Sequence, residues 1–314
     1  MAKGEVKWDK NYDYENSVSL LYNNDSHRGP GMVVRNLTKG LKSIGVSIHN
    51  RFDSRPWKYT GCLQDYDRNF LMHYVDKNKP VLMGPNLFVL PNDNPFLCNS
   101  FNDFVVPAQW VKDLYLKFDL LKNKNMHVWP VGIDTEEWNF ENDKKETTNL
   151  NCFIYYKNRS ENDLAIAQAV CNKFNLKYEI IKYGSYQEQE LKSLCKKMSH
   201  NNGFAILLTG TESQGVAYQN ILSSNVPCYV FNSPTWKSDD SSIVVPASSV
   251  PYFDKTCGEI SNNINLEQFE NFIKNVASNK YKPRHFVIQN LNIEKQATEY
   301  LALLKLAHKD LSEI

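Results

Sequence analysis

The chain reads as an α/β protein made of two consecutive doubly wound parallel-sheet domains. Three observations point there. Apolar runs of strand length alternate with amphipathic runs of helix length from Ser17 to Leu311. Strand ends repeatedly run into glycine-rich or polar turns that open the next helix. A polar stretch, residues 139–149 (NFENDKKETTN), divides the alternation into two similar halves. The expected ranges are 1–145 for an acceptor-side domain, 146–290 for a donor-side domain, and 291–314 for a closing helix that crosses back to the first.

In the first half, SVSLLY (17–22) is a buried strand that runs into an Asn-, Asp- and Gly-rich turn ending Gly29-Pro30-Gly31. Val33, Val34, Leu37, Leu41 and Ile44 then recur at helical spacing over residues 32–44. Gly45 is the expected C-cap and residues 46–49 the second strand. Residues 80–83 form a short strand ending in Gly84-Pro85-Asn86. Strands at 104–107 and 126–130 flank a helix at 108–118.

The second half repeats the architecture without repeating the sequence. Strands are expected at 152–156, 178–182, 204–209, 226–231 and 242–245. Helices are expected at 162–174, 187–198, 216–223, 265–277 and 294–311. In such sheets ligands bind outside the carboxyl ends of the strands, so two halves of this kind imply a cleft between them.

Composition narrows the function classes. Of 314 residues 42% are hydrophobic and 12% aromatic, which excludes a disordered chain. The net charge of +1 gives no global signal for nucleic acid. The first residues are polar, unlike a signal peptide, and no apolar run reaches the roughly 18 residues of a membrane span. Seven scattered cysteines without a CxxC pair read as reduced, buried thiols of a cytoplasmic protein, and no zinc site is expected of them.

The sharpest motif is T-E-S-Q-G-V-A-Y-Q-N-I (211–221), followed by Pro227. It links the strand AILLT to a helix, so free backbone N–H groups and the positive end of the helix dipole meet there. Gly215 allows close backbone approach to a ligand, and the Glu212 carboxylate accepts hydrogen bonds from hydroxyls. A plain helix start with a tight turn fits the same residues. Lys157 and Arg159 come just after the first strand of the second half, where two cations suit a phosphate-bearing ligand.

The 211–227 segment resembles the donor-binding signature of retaining glycosyltransferases of family 4 and its relatives. Glu212, Gly215 and Pro227 sit at matching positions, while the second glutamate of that signature falls on Asn220. Gly29-Pro30-Gly31 is similar to the family's N-terminal glycine loop, Val106–Val111 to its "VPSxW" segment, and Trp129–Asp134 to its "PNGID" loop with Val131 replacing Asn. The resemblance implies the GT-B fold, in which two Rossmann-like domains face each other across a cleft. It also implies sugar transfer from a nucleoside diphosphate sugar, UDP- or GDP-linked, to an acceptor hydroxyl with retention of configuration.

By that resemblance Glu212, Lys157 and Arg159 are the catalytic residues, the cations stabilising the departing diphosphate. Gly29, Gly31, Tyr183, Gly184, Ser213, Gln214, Gly215, Val216 and Asn220 bind the donor, with Tyr183 and Gly184 near the nucleobase. Asp25, His27 and Asn86 lie on the acceptor side. The acceptor is a glycan, a lipid-linked molecule or another hydroxyl compound. No Asp-x-Asp triplet ends a strand, so no metal is expected, and no cofactor beyond the donor itself. Two other readings stand beside this one: a non-catalytic nucleotide-sugar-binding homologue, motivated by Asn220, and a DNA-base glycosyltransferase of viral type. Residues 248–253 (SSVPYF) carry no assigned role.

Overall fold

The computed structural model describes residues 12–23, 29–49, 55–263 and 265–309. Its contacts separate into two units. One contains the chain up to Gly132 and the residues from Ile293 onward; the other is Ile133–Asn292.

The first unit holds β1 (Ser17–Leu21), α1 (Gly29–Ser43), β2 (Ser47–His49), β3 (Tyr59–Gln64), α2 (Arg68–Asp76), β4 (Leu82–Asn86), α3 (Pro95–Ser100), β5 (Asp103–Val106), α4 (Gln109–Tyr115) and β6 (Asn125–Val128). Its sheet has the order β2-β1-β3-β4-β5-β6, every pairing parallel. Residues in β1 and β3 are buried along their whole length, as expected of strands covered on both faces.

Two differences from the sequence reading have physical causes. Gly29-Pro30-Gly31 is not a loop before the helix but the first turn of α1. Proline is tolerated there because its missing N–H would have no intrahelical partner anyway. Strand β3 goes unrecognised in YTGCLQ because Gly61 interrupts its apolar pattern. That glycine makes room for another side chain: a Cβ at Gly61 would lie 2.4 Å from the Tyr300 hydroxyl.

The second unit holds β7 (Cys152–Lys157), α5 (Glu161–Lys173), β8 (Tyr178–Lys182), α6 (Glu188–His200), β9 (Phe204–Thr209), α7 (Val216–Ser223), β10 (Cys228–Phe231), β11 (Thr235–Lys237), β12 (Val244–Pro246), β13 (Gly258–Ser261), α8 (Leu266–Ala277) and α9 (Pro283–Leu291). The main sheet is again wholly parallel, in the order β13-β10-β9-β7-β8, and β11 and β12 form a small antiparallel pair. Alternate residues of β7 and β9 (Cys152, Ile154 and Tyr156; Phe204, Ile206 and Leu208) pack with Phe269 and Phe272 of α8 in one core cluster. Each such fully buried apolar side chain contributes roughly 1.5–3 kcal/mol. All seven cysteines are buried free thiols. Residues 139–149 lie against α6, where Lys196 pairs with Asp143 (3.0 Å) and Glu146 (3.2 Å), and His200 reaches the Phe140 carbonyl (2.8 Å).

The last helix, α10 (Ile293–Lys309), packs on α1 and β3 of the first unit. Trp129 donates from Nε1 to the Gln296 carbonyl (2.9 Å) and its ring lies 4.7 Å from that of Tyr300. Gly40 lets the two helices close: a Cβ there would meet the Ile293 carbonyl oxygen at 2.5 Å. No helix among the described residues is long and apolar enough to cross a membrane.

Candidate functional site

The order of the second sheet reverses direction between β7 and β9, with β8 on one side and β10 on the other. That switch point, at the carboxyl ends of the strands, is where doubly wound sheets bind ligands. Lys157 is the last residue of β7 and stands in register with Thr209, the last of β9. Immediately beyond Thr209 the chain enters the loop that carries Glu212.

The two charges meet. Lys157 Nζ lies 2.8 Å from Glu212 Oε1 and 2.9 Å from Oε2, a pair in which the carboxylate is 8% exposed. Burial raises the Glu212 carboxyl above its ordinary value, and the Lys157 charge and hydrogen bond pull against that rise. On its other side Lys157 stands over the Tyr183 ring, 4.6 Å from its centroid. Tyr183 and Gly184 follow β8, and Gly184 has φ +84° with open space where a side chain would stand.

Arg159 is turned elsewhere. Its Nε bonds Asp163 (3.1 Å), and its Nη1 donates to the carbonyls of Phe231 (3.1 Å) and Thr209 (3.4 Å) and to Ser233 Oγ (2.8 Å). It thereby ties together the ends of β9 and β10. Asp163 in turn is held below the usual carboxylate range, chiefly by the Arg159 hydrogen bond.

Gly215 caps α7 with φ +72° and ψ +36°, the left-handed region that glycine adopts without strain. A Cβ at that position would fall 2.0 Å from the Tyr218 ring. Tyr218 is buried, and its hydroxyl accepts the Tyr252 N–H (3.0 Å). Ser213 is exposed, Gln214 and Val216 are buried, and Asn220 is buried on α7. Gln219 Nε2 donates to the Gln214 carbonyl (2.8 Å) and fixes the loop from within the helix.

The 248–253 segment, to which sequence reasoning assigned nothing, supports this loop. The Ser248 carbonyl accepts the Glu212 N–H (2.9 Å). Ser249 Oγ donates to the Thr209 carbonyl (2.9 Å) and accepts the Ser233 N–H (2.9 Å), while Asn232 Oδ1 accepts the Ser249 N–H (2.9 Å). The paired serines were the only signal available, because small hydroxyl side chains favour such local bonds to backbone.

In the first unit, Gly31 lines a groove of about 460 Å³ along α1, with Tyr22, Asn23, Arg35 and Lys39 among its other walls. Gly29 stands in the same first turn. Asn86 ends β4 in register with Gln64, and its Nδ2 is buried with no hydrogen-bond partner among the described residues. Asp25 and His27 lie outside the described residues.

No protein-family model matches the chain. No curated protein sequence matches it either. Among solved structures it is similar to a glycosyltransferase from Rickettsia africae ESF-5, at 12% identity and a TM-score of 0.58, over 94% of this chain and 99% of that one. It is also similar to TarM, at 14% identity and a TM-score of 0.50, over 78% of this chain and 54% of that one. The fold is GT-B-like. Two Rossmann-like domains whose main sheets are wholly parallel define it here. Neither likeness singles out family 4 within the GT-B fold.

Proposed function

We propose that the chain is a glycosyltransferase that moves a sugar from a nucleoside diphosphate sugar to an acceptor hydroxyl, with retention of configuration. The observation that carries this reading is the Lys157–Glu212 pair at the switch point of the second sheet, next to the glycine-capped start of α7. A buried carboxylate suits sugar hydroxyls, and a cation beside it suits the charge that grows on a departing diphosphate. In this reading Glu212 holds the sugar and Lys157 the phosphate. Arg159 keeps the strand ends in place, since its Nε and Nη1 are engaged there. Ser213, Gly215 and the N–H groups around Val216 face the sugar, and Tyr183 and Gly184 the base. Gly29, Gly31, Asp25, His27 and Asn86 serve the phosphate and acceptor side. The bond from the sugar to the leaving diphosphate breaks as the acceptor oxygen attacks the same face, and the acceptor proton passes to that leaving group.

The test is a thermal-shift series with nucleoside diphosphates and nucleotide sugars, followed by a transfer assay on the best donor. Saturating donor at about 100 times its Kd stabilises a folded protein by about 2.7 kcal/mol. Glu212→Ala is expected to keep its fold and lose transfer. A chain stabilised by no nucleotide or nucleotide sugar ends the proposal. One observation favours a second reading: Asn220 is a buried, uncharged residue where related signatures carry a carboxylate. Donor binding without transfer or hydrolysis across acceptors establishes that reading.

A further inference from the structure

A lysine is a compact charge at the end of a flexible four-carbon stem, so its position is set by what surrounds it. Lys157 ends β7, and two groups of different kinds hold its ammonium. The first is the Glu212 carboxylate, with Nζ 2.8 Å from Oε1 and 2.9 Å from Oε2. The second is the Tyr183 ring, with Nζ 4.6 Å from its centroid. The ring is itself anchored. Tyr183 follows β8, which pairs with β7 in register as far as Tyr156 and Lys182. Its N–H donates to the Tyr156 carbonyl (2.9 Å), one residue before Lys157. The Ser185 N–H returns to the Lys182 carbonyl (3.0 Å) and closes a turn through Gly184, at φ +84°. Two adjacent strand ends thus bring ring and ammonium together.

The two groups act differently on the charge. A carboxylate cancels it, and its oxygens occupy the N–H donors of the ammonium. An aromatic face attracts a cation through its quadrupole and carries no net charge. The ring therefore holds the lysine without neutralising it. In the donor-site reading above, on which this inference rests, Glu212 serves the sugar and Lys157 the diphosphate. The ring is then the contact that keeps Nζ in place. We propose that Tyr183 is a positioning residue, whose ring holds the Lys157 ammonium where the diphosphate of the donor binds. This role is separate from contact with the base, because a ring has two faces and the lysine occupies one.

The test separates phosphate from base. Uridine, UDP, guanosine and GDP are titrated calorimetrically into wild type, Tyr183→Leu, Tyr183→Phe, Lys157→Met and the Tyr183→Leu/Lys157→Met double variant. The ratio of diphosphate to nucleoside affinity isolates what the phosphates contribute. Tyr183→Leu is expected to lower that ratio about fivefold, the size of a partly desolvated cation–π contact. Tyr183→Phe keeps it, since the aromatic face is retained. In the Lys157→Met background, Tyr183→Leu lowers it no further. A ring that only stacks on the base loses nucleoside and diphosphate affinity alike; that result leaves the ratio unchanged and overturns the proposal. An equal fall in the ratio with and without Lys157 also overturns it, since the ring then acts on the phosphates by another route. Should Tyr183→Leu not fold, ring-fluorinated phenylalanines at position 183 decide the matter. Fluorines weaken the hold of the face on a cation at nearly constant shape, so the ratio is expected to fall with each one, and a constant ratio sinks the proposal. If wild type binds none of the four compounds, the donor-site reading fails and this inference with it. Binding by wild type with an unchanged ratio in Tyr183→Leu removes this inference alone.

Discussion

Lys157 and Glu212 pair within a largely buried space, and the lysine charge opposes the rise that burial imposes on the Glu212 carboxyl. Removing the cation alone strands the carboxylate. Lys157→Met is expected to lower stability by about 3 kcal/mol at neutral pH, the usual cost of breaking a buried pair from one side. Adding Glu212→Gln recovers most of that loss, and urea unfolding of the four proteins closes the cycle. The pH dependence follows in sign. The Glu212 carboxyl is already raised by burial, and without Lys157 it rises further. A raised acid stabilises the fold at low pH and costs stability as pH climbs toward its folded value, so the Lys157→Met deficit shrinks on acidification. A single variant as stable as wild type would mean that the pair contributes nothing to the fold. At this scale the places of Lys157, Glu212 and Gly215 at or just beyond strand ends are legible in the sequence. Their partners were not. Nothing in the sequence says that Lys157 faces Glu212 while Arg159, two residues on, turns to the carbonyls of Thr209 and Phe231.

Among the elements, strands such as FAILLT and helices such as α1 are legible because periodic apolar residues record burial directly. Strands β3 and β13 are not, since each includes a glycine placed for a close neighbour: Tyr300 at Gly61, and the Cys228 carbonyl at Gly258. Helix α9 escapes for a different reason. Its buried residues Pro283, Arg284, Val287 and Leu291 share one face, but one of them is an arginine and the apolar Ile288 is exposed, so the apolar residues mark no stripe. The serine bonds that hold the Glu212 loop join residues as far apart as Ser249 and Thr209, 40 positions in sequence, and periodicity carries no such information. Helix α10 shows what a single contact of this kind does. His308 accepts the Thr60 N–H on Nε2 (3.2 Å) and bonds the Leu304 carbonyl through Nδ1 (2.7 Å), which requires the neutral ring. Its imidazole edges against Tyr59, and burial holds its pKa below the ordinary value, with the Asp103 charge opposing weakly. The unfolded chain therefore binds a proton more readily. This histidine's contribution is complete above its unfolded pKa of about 6.5 and is lost as pH falls through the lower folded value. Stability measured between pH 7.5 and 5 is expected to decline with a His308-dependent slope that His308→Gln flattens; an unchanged slope would remove the histidine from the account.

For the molecule as a whole, the division into two doubly wound halves was visible in the alternation of the sequence, and the fold comparison agrees with it. The return of the closing helix to the first half was expected from the family resemblance, but its partners were not legible, because a helix that packs onto distant β3 looks, in sequence, like any amphipathic helix. The first unit is discontinuous: it needs α10, which fills the space left by Gly40 and Gly61 and buries Tyr300 against Trp129. A chain ending at Asn292 is expected to keep protected amides in the second-unit strands β7 and β9 and to lose protection at Leu41 and Gly61. Hydrogen exchange reads both. Full protection at Leu41 in the shortened chain would contradict the packing described here.

That discontinuity also fixes an order of events on the ribosome. Residues up to Gly132 emerge first, yet their last structural partner is made only after the whole second unit has been translated. At 5–20 residues per second this interval is on the order of ten seconds. Over that time the first sheet has all six strands but lacks the cover that α10 gives to α1 and β3, while the second unit has every residue it needs. The part of the nascent chain that starts first is therefore the part that finishes last, and it is the stretch most exposed to chaperones and to misassembly.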